Sequence, residues 1–374
     1  MKVLLIPDKF KGSLTAIEVI ESIRNGVLKV LPETSFHSIE ASDGGEGFLD
    51  AIKAFINCDA IKVHTLDALG REISAEYLYN SENNSAYVEL AKASGITLLK
   101  ESERDIMKTS TFGTGLLIKD AILKGSKSIY LGLGGSASND AGLGIAEALG
   151  FYFCDRDGNQ LVPIGKNLSK IISIHKKSNS LSLKGISFFA IHDVDNPLYG
   201  PLGASYVYGK QKGASENEIK VLDCGMQDLE NLIKLQTKKD VAKLAGSGAA
   251  GGTAYGLKVF CDAEFISGID FVLGISNVEE LLADNDFDYI ITGEGKFDNQ
   301  TLHGKLIKGV VDLGNRFKIP VIALCGQLEV EDKVLKKFLN LTVLEVKNDS
   351  ESLDYNMKNA AKQIEQTLEA FFSK

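Results

Sequence analysis

The chain opens Met1-Lys2-Val3-Leu4-Leu5-Ile6-Pro7-Asp8-Lys9-Phe10-Lys11-Gly12-Ser13-Leu14-Thr15-Ala16-Ile17-Glu18. Residues 3–6 are a short apolar run broken by proline and aspartate, which reads as a buried strand. Thr15 with Glu18 three positions on makes a capping box, and Ile17, Ile20, Ile23, Val27 and Val30 follow at helical spacing. Residues 36–41 supply the next strand, and Phe48, Leu49, Ile52, Phe55 and Ile56 the stripe of the next helix. The same rhythm returns near the other end. Strands are predicted at 288–292, 320–324 and 341–346. Helices are predicted through Leu306, Val310 and Leu313, over 332–339, and through Leu353, Met357, Ala360, Ile364, Leu368 and Phe371. Strands alternating with helices predict a parallel sheet covered on both faces. Neither end is large enough alone, so residues 1–66 and 286–374 are read as one doubly wound domain.

The middle, residues 67–285, has a different texture. Residues 72–79 and 86–90 look like antiparallel strands, 151–162 bracket the hairpin dipeptide Asp157-Gly158, and 128–133 and 186–194 read as buried strands. Ser215 and Glu218 form a second capping box before a helix through Ile219, Leu222, Met226 and Leu229. The expectation is a second α/β domain with a mixed sheet, inserted into the first, with the active site in the cleft between them.

The 374 residues carry 41 Lys+Arg against 50 Asp+Glu, a net charge of −9, with 44% hydrophobic and 24% charged residues. That composition excludes a disordered chain, a fibre and a small disulfide scaffold. An acidic balance argues against nucleic acid as a partner. The five cysteines include no CxxC, and the five histidines no i,i+4 pair, so neither a disulfide framework nor a histidine metal site is expected. The opening apolar run is shorter than the ~7–15 residues of a signal sequence, and no later run approaches the ~20 of a membrane span. A cytoplasmic protein without membrane contact is expected. The notable excess is glycine, 37 residues against 6 prolines, which points to tight turns rather than linkers.

Much of that glycine gathers in a few clusters, several at strand ends, where open α/β sheets bind ligands. Backbone N–H groups of such turns hold phosphate oxygens without net positive charge. Gly132-Leu133-Gly134-Gly135-Ser136-Ala137-Ser138-Asn139-Asp140 lies between a strand and a helix, and reads as a ligand-contacting loop rather than a plain capped turn. Gly246-Ser247-Gly248-Ala249-Ala250-Gly251-Gly252 matches GxGxxG, but a helical-looking stretch precedes it where the dinucleotide fingerprint needs a strand. Thr292-Gly293-Glu294-Gly295-Lys296-Phe297-Asp298-Asn299-Gln300-Thr301 is expected as a loop rich in charge and hydroxyl groups. The loops of Asp8, Lys9 and Lys11 and of Asp43, Gly44 and Glu46 should converge on one crevice. The two lysines suit an acidic substrate, or form a surface charge run. Asp193 and Asp195 suit a metal or general-base role, or an Asx turn before Pro197. There is no GxxxxGK[ST] and no GxSxG, and the EF-hand-like Asp284, Asp286, Asp288 lacks the glycine and glutamate that the loop requires. From the residues alone, phosphoryl transfer to a small acidic metabolite is the best reading.

Seven segments, in order and spanning nearly the whole chain, resemble the bacterial type I glycerate kinase family. They are Pro7-Asp8-Lys9-Phe10-Lys11-Gly12-Ser13, Asp43-Gly44-Gly45-Glu46-Gly47, the 134–140 loop, Asp193-Val194-Asp195-Asn196-Pro197-Leu198, Gly209-Lys210-Gln211-Lys212-Gly213-Ala214, Gly248-Ala249-Ala250-Gly251-Gly252 and the 292–301 segment. The resemblance implies a flavodoxin-like doubly wound domain interrupted by a second α/β domain. It also implies ATP- and Mg2+-dependent phosphorylation of D-glycerate, with 2-phosphoglycerate favoured over 3-phosphoglycerate. The expected roles follow. Asp193, Lys9 and Asp195 are catalytic; Asp8, Lys11, Asp43, Gly44 and Glu46 bind substrate. Gly134, Gly135, Ser136, Ser138, Asn139, Gly293, Gly295 and Lys296 bind nucleotide, and Asp193 and Asp298 bind metal. A monomer or homodimer is expected. The rival readings are a non-catalytic sugar-acid sensor and a nicotinamide-dependent hydroxy-acid reductase.

Overall fold

Val3, Leu4, Leu5 and Ile6 have no solvent exposure, as a strand covered on both faces requires. In the computed structural model, which describes residues 1–41, 44–45, 47–297, 306–330, 332–335, 338 and 340–374, they belong to β1. The described strands, in chain order, are β1 (Lys2–Pro7), β2 (Ser35–Ser38), β3 (Asp59–Leu66), β4 (Glu72–Asn80), β5 (Ser85–Glu89), β6 (Ser128–Gly132) and β7 (Phe151–Cys154). They continue with β8 (Gln160–Leu161), β9 (Ser173–Lys176), β10 (Ser187–Ile191), β11 (Glu264–Ile266), β12 (Tyr289–Phe297), β13 (Val321–Leu328) and β14 (Leu341–Glu345). The chain divides into two compact units, Met1–Ser42 with Ser267–Lys374, and Asp43–Ile266.

The first unit holds a five-stranded sheet in the order β14-β13-β12-β1-β2, every pair parallel. Counted within the unit, that is the 2-1-3-4-5 order of a flavodoxin-like sheet. The helix Ala16–Leu28 starts at the expected Thr15–Glu18 capping box. It buries Val19, Ile20, Ile23 and Val27 beside Ile364 and Leu368 of the closing helix Ala360–Phe372. Ile17, expected in that stripe, is exposed, lying at the stripe's edge in the first turn.

The second unit holds a mixed six-stranded sheet in the order β11-β10-β6-β5-β4-β3. Its β5, β6, β10 and β11 run parallel, while β4 and β3 complete it antiparallel. Tyr87, Tyr130 and Phe189 stand in register on three neighbouring strands and stack, with centroids 5.1 and 4.6 Å apart. Such cross-strand aromatic ladders pin a sheet's register. A small antiparallel sheet, β8-β7-β9, contains the expected turn at Gly158, with φ +82°.

The units change over at 42/43 and 266/267, not at the predicted 66/67 and 285/286. Residues 59–66 form β3 and pair with β4 from Asp59–Tyr79 to Leu66–Glu72, which commits them to the mixed sheet. The helix Gly268–Ile275 joins the first unit, where Ile269 packs against Gly309. The predicted loop at 293–297 is also strand. β12 continues to Phe297 because β13 continues beside it, pairing Glu294 with Cys325 and Lys296 with Gln327.

Ile23 is the fully buried centre of the Ala16–Leu28 face. Ile23→Ala is expected to cost about 3 kcal/mol of stability, read as a lowered urea midpoint for the first unit, followed by hydrogen exchange of β1 amides.

Candidate active site

Register places Glu89, Gly132, Ile191 and Ile266 in one row across β5, β6, β10 and β11. The segments that follow these strands leave from one carboxyl edge. Here the described part of the 42–47 loop meets the 132–140 loop. The Gly134 amide donates to Gly44 O at 3.0 Å, and a Cβ on Gly134 would lie 2.1 Å from Gly45 Cα. Glycine is required by that main-chain crossing. Asp43 and Glu46 lie outside the described residues.

The loop divides into an outer and an inner part. Gly134 is half-buried and Gly135 exposed, whereas Ser136, Ser138 and Asn139 are buried. The Ser138 amide donates to Ser136 Oγ at 3.1 Å, the two hydroxyls lie 3.2 Å apart, and Asn139 Nδ2 donates to Ser205 Oγ at 3.0 Å. These three side chains shape the loop from within, and its accessible face is Gly134-Gly135.

Asp140 is fully buried and holds the next turn. Its Oδ2 accepts from the Thr111 amide (2.7 Å), the Thr111 hydroxyl (2.8 Å) and the Gly144 amide (3.2 Å), and Oδ1 from the Gly142 amide (3.1 Å). The carboxylate thus ties the start of the helix Phe112–Leu123 to the start of Leu143–Ala148. Burial pushes its pKa up against these donors. Lys212 lies against the same loop, with Nζ donating to Ser138 O at 2.7 Å; burial lowers its pKa to about 7.

After β10, His192 and Asp193 are half-buried and Asp195 is exposed. The segment is pinned through Asn196. Its carbonyl accepts from the Gly248 amide (2.8 Å), its Oδ1 from the Tyr208 hydroxyl (2.6 Å), and its Nδ2 donates to Leu202 O (2.8 Å). The His192 ring stands edge-on to Phe265, with centroids 5.1 Å apart. Gly246, at φ +87°, makes room for it, since a Cβ there would lie 2.0 Å from the ring's Cε1. Burial holds the imidazole below its usual pKa. The GxGxxG match at 246 follows turns, neither a strand nor the helix that the sequence suggested, so the dinucleotide fingerprint lacks its strand.

In the first unit the corresponding row is Pro7, Gly293, Leu324 and Leu344. The strand order reverses between β1 and β12, so the switch point of this sheet lies at Pro7-Asp8 and Gly293. The Asp8 amide donates to Gly293 O at 2.9 Å, and the Lys9 amide to Asp8 Oδ1 at 2.7 Å. Lys9 is half-buried and Lys11 exposed. Gly293 and Gly295 leave room for Phe10 beside them. Lys296 pairs with Glu329 at 2.7 Å, and Gln327 Nε2 donates to the same carboxylate at 2.8 Å. Asp298 lies outside the described residues.

The expected residues therefore form two groups, each at the carboxyl ends of parallel strands. Asp8, Lys9, Lys11, Gly293, Gly295 and Lys296 stand in one unit, and Gly44, Gly134–Asn139, Asp193 and Asp195 in the other. Sequence reasoning passed over Lys212, His192 and the buried Glu89, whose Oε2 accepts from the Leu49 amide at 3.3 Å. Lys212 stood in a quoted motif without a role. Nothing in the local sequence distinguished Glu89 from an ordinary strand-end acid.

Comparison with known proteins agrees with this architecture. A model of the glycerate kinase family matches residues 3–374. A glycerate kinase of Halalkalibacterium halodurans is 38% identical over 326 residues, covering 87% of this chain and 85% of its own. A glycerate 2-kinase of Escherichia coli K12 is 37% identical over 328 residues, covering 88% and 86%. A solved chain from Salmonella typhimurium LT2, provisionally described as glycerate kinase 2, superposes with a TM-score of 0.79 at 35% identity, covering 100% of this chain and 97% of that one. The molecule is thus an α/β phosphotransferase that acts on an alcohol group. The chain belongs to the glycerate kinase family. No helix among the described residues is long and apolar enough to cross a membrane.

Asp140→Asn sets an amide donor against a backbone or hydroxyl donor whichever way it is turned. The expected cost is on the order of 3 kcal/mol, read by calorimetry as a lower melting temperature for the second unit than in the wild type.

Proposed function

We propose that this enzyme transfers the γ-phosphoryl group of ATP to the 2-hydroxyl of D-glycerate, giving 2-phosphoglycerate and ADP. The observation that carries the reading is the 37% identity, over most of both chains, to a protein named glycerate 2-kinase. Support from this chain's own residues comes from glycine-rich backbone and lysines at two carboxyl strand edges. In the reaction the glycerate oxygen forms a bond to Pγ as the bond from Pγ to the β,γ-bridging oxygen breaks. The hydroxyl proton passes to a base, and ADP leaves.

Each residue's role follows from its chemistry and surroundings. Lys9 and Lys11 face the glycerate carboxylate, and Asp8 orients Lys9 by accepting its amide. Asp43, Gly44 and Glu46 complete the glycerate side. The Gly134-Gly135 turn offers backbone to the nucleotide phosphates, whereas Gly293 and Gly295 lie within β12 and keep the switch point open beside Phe10. Ser136, Ser138 and Asn139 keep that turn in shape. Asp193 is the base, since its half-buried carboxylate is better shielded than that of exposed Asp195.

Among the described residues no group of three His, Cys, Asp or Glu side chains gathers as a metal cage. Mg2+ bound with a nucleotide needs only one or two carboxylates, because phosphate oxygens and waters complete its octahedron. Asp298 would fit that demand by donor type, as Asp193 would if it held the ion instead of taking the proton. The ion supplies charge neutralisation on the β- and γ-phosphoryl oxygens.

Phosphorus NMR of the product from D-glycerate, ATP and Mg2+ tests the reading. A 2-phosphoglycerate resonance with stoichiometric ADP is expected; a 3-phosphoglycerate resonance overturns the regiochemistry, and no phosphoglycerate overturns the activity. Asp193→Ala is expected to lower kcat by at least about a hundredfold, whereas a loss within about tenfold, ~1.4 kcal/mol of barrier, removes Asp193 from the chemistry.

A further inference from the structure

Lys212 is the best-buried ammonium in the second unit's loop cluster, with 3% exposure. It ends the turn Lys210–Lys212, and the turn is rigid. The Lys212 amide donates to Gly209 O at 3.0 Å, the Gly213 amide to Lys210 O at 3.1 Å, and the Ala214 amide to Gly209 O at 3.1 Å. Nζ donates to Ser138 O at 2.7 Å and reaches Ser136 Oγ at 3.4 Å. An ammonium has three N–H donors, so these two acceptors leave one over. No carboxylate forms an ion pair with Lys212 among the described residues; Asp140 acts on it through space.

A buried cation whose charge is offset only through space by Asp140, with no described carboxylate in contact, is costly, and a methionine of similar length would fill the same volume without that cost. The arrangement makes sense if an anion arrives to complete it. The loop that Lys212 holds is the one whose outer face, Gly134-Gly135, offers backbone to phosphate. We propose that Lys212 is a positioning residue for phosphoryl transfer. From behind the loop it fixes residues 136–138 and supplies the positive charge that draws a nucleoside polyphosphate onto the Gly134-Gly135 turn. The inference rests on the nucleotide reading above.

Burial lowers the Lys212 pKa to about 7, and Asp140 opposes that shift. Other charged neighbours are Arg104, whose carbonyl and Cβ pack on Gly213, and Lys210 on the same turn. The hydroxyls of Ser136, Ser138 and Ser205 around the loop are not ionised. In the free enzyme the ammonium therefore loses its proton as pH rises through about 7, and a bound polyphosphate restores it. Since kcat/KM reports the free enzyme, kcat/KM for ATP should fall on the alkaline side while kcat at saturating ATP stays level.

The test uses the full-length enzyme and its Lys212→Met and Lys212→Arg variants. Lys212→Met is expected to melt no lower than wild type, yet to lose about tenfold or more in kcat/KM for ATP at about pH 6.5, with KM for D-glycerate within about twofold. Its alkaline fall should disappear, and Lys212→Arg should recover part of the loss. Lys212→Met with kcat/KM for ATP within about threefold of wild type overturns the proposal. Should that variant not fold, wild-type calorimetry with ADP at about pH 8 in two buffers of different ionisation enthalpy decides. Uptake of about one proton per ADP supports the role, and no uptake overturns it. The titration stays informative even if D-glycerate is not a substrate, so failure of the kinase reading and failure of this inference are told apart.

Discussion

Asp140 has no contact with solvent, yet its carboxylate accepts from Thr111 twice and from the amides of Gly142 and Gly144. A buried carboxylate is tolerated only when donors surround it. Here the donors come from two helix starts that would otherwise have exposed N–H groups at their ends. The one carboxylate therefore satisfies both helices and fixes where the 132–140 loop ends. Around that fixed point the other main-chain contacts fall into place. The Ala141 amide donates to Gly251 O at 3.1 Å, and the Gly134 amide to Gly44 O at 3.0 Å. At this edge of the second unit the main chains of 44 and 134, and of 141 and 251, lie in direct hydrogen-bonded contact.

That construction would suit a polyanionic ligand even in an acidic protein. The net charge of −9 is a property of the whole surface. Phosphate binding is decided within a few ångströms, where N–H dipoles and one or two cations act in low dielectric. A backbone-built edge offers such dipoles, and Lys212 places a cation directly behind it. The first unit follows the same logic more openly. Its switch point brings Asp8 and Lys9 to Gly293, with Lys9 half-buried and Lys11 exposed.

Much of the fold was legible in the chain. The two capping boxes at Thr15 and Ser215 start helices where expected, because both partners of each box lie within one turn. The apolar runs of β1, β6 and β10 mark buried parallel strands, and their downstream loops carry many of the candidate site residues. Less was legible where pairing is between distant segments. Residues 59–66 carry alternating exposure and could join either sheet from their pattern alone; only β4 beside them commits them to the second unit. Residues 293–297 look like a loop, with glycines at 293 and 295, and are held extended by β13. Lys296, expected at the nucleotide, pairs in this structure with Glu329, thirty-three positions on.

The amino-acid sequence by itself determined the alternation of strands and helices, the capped helix starts, and the glycine clusters at strand ends. These depend on periodicity, caps and backbone freedom, which are local properties of the chain. Only the tertiary structure decided which serines of the 132–140 loop face inward, and that Asp140 clamps two helices. It also decided that Lys212, seventy-four residues beyond Ser138, lies beneath that loop with no carboxylate ion-paired to it among the described residues. Burial and partner are set by the segments that fold against a residue. A lysine in a polar-looking stretch therefore reveals its charge state and its work only once the fold has closed around it.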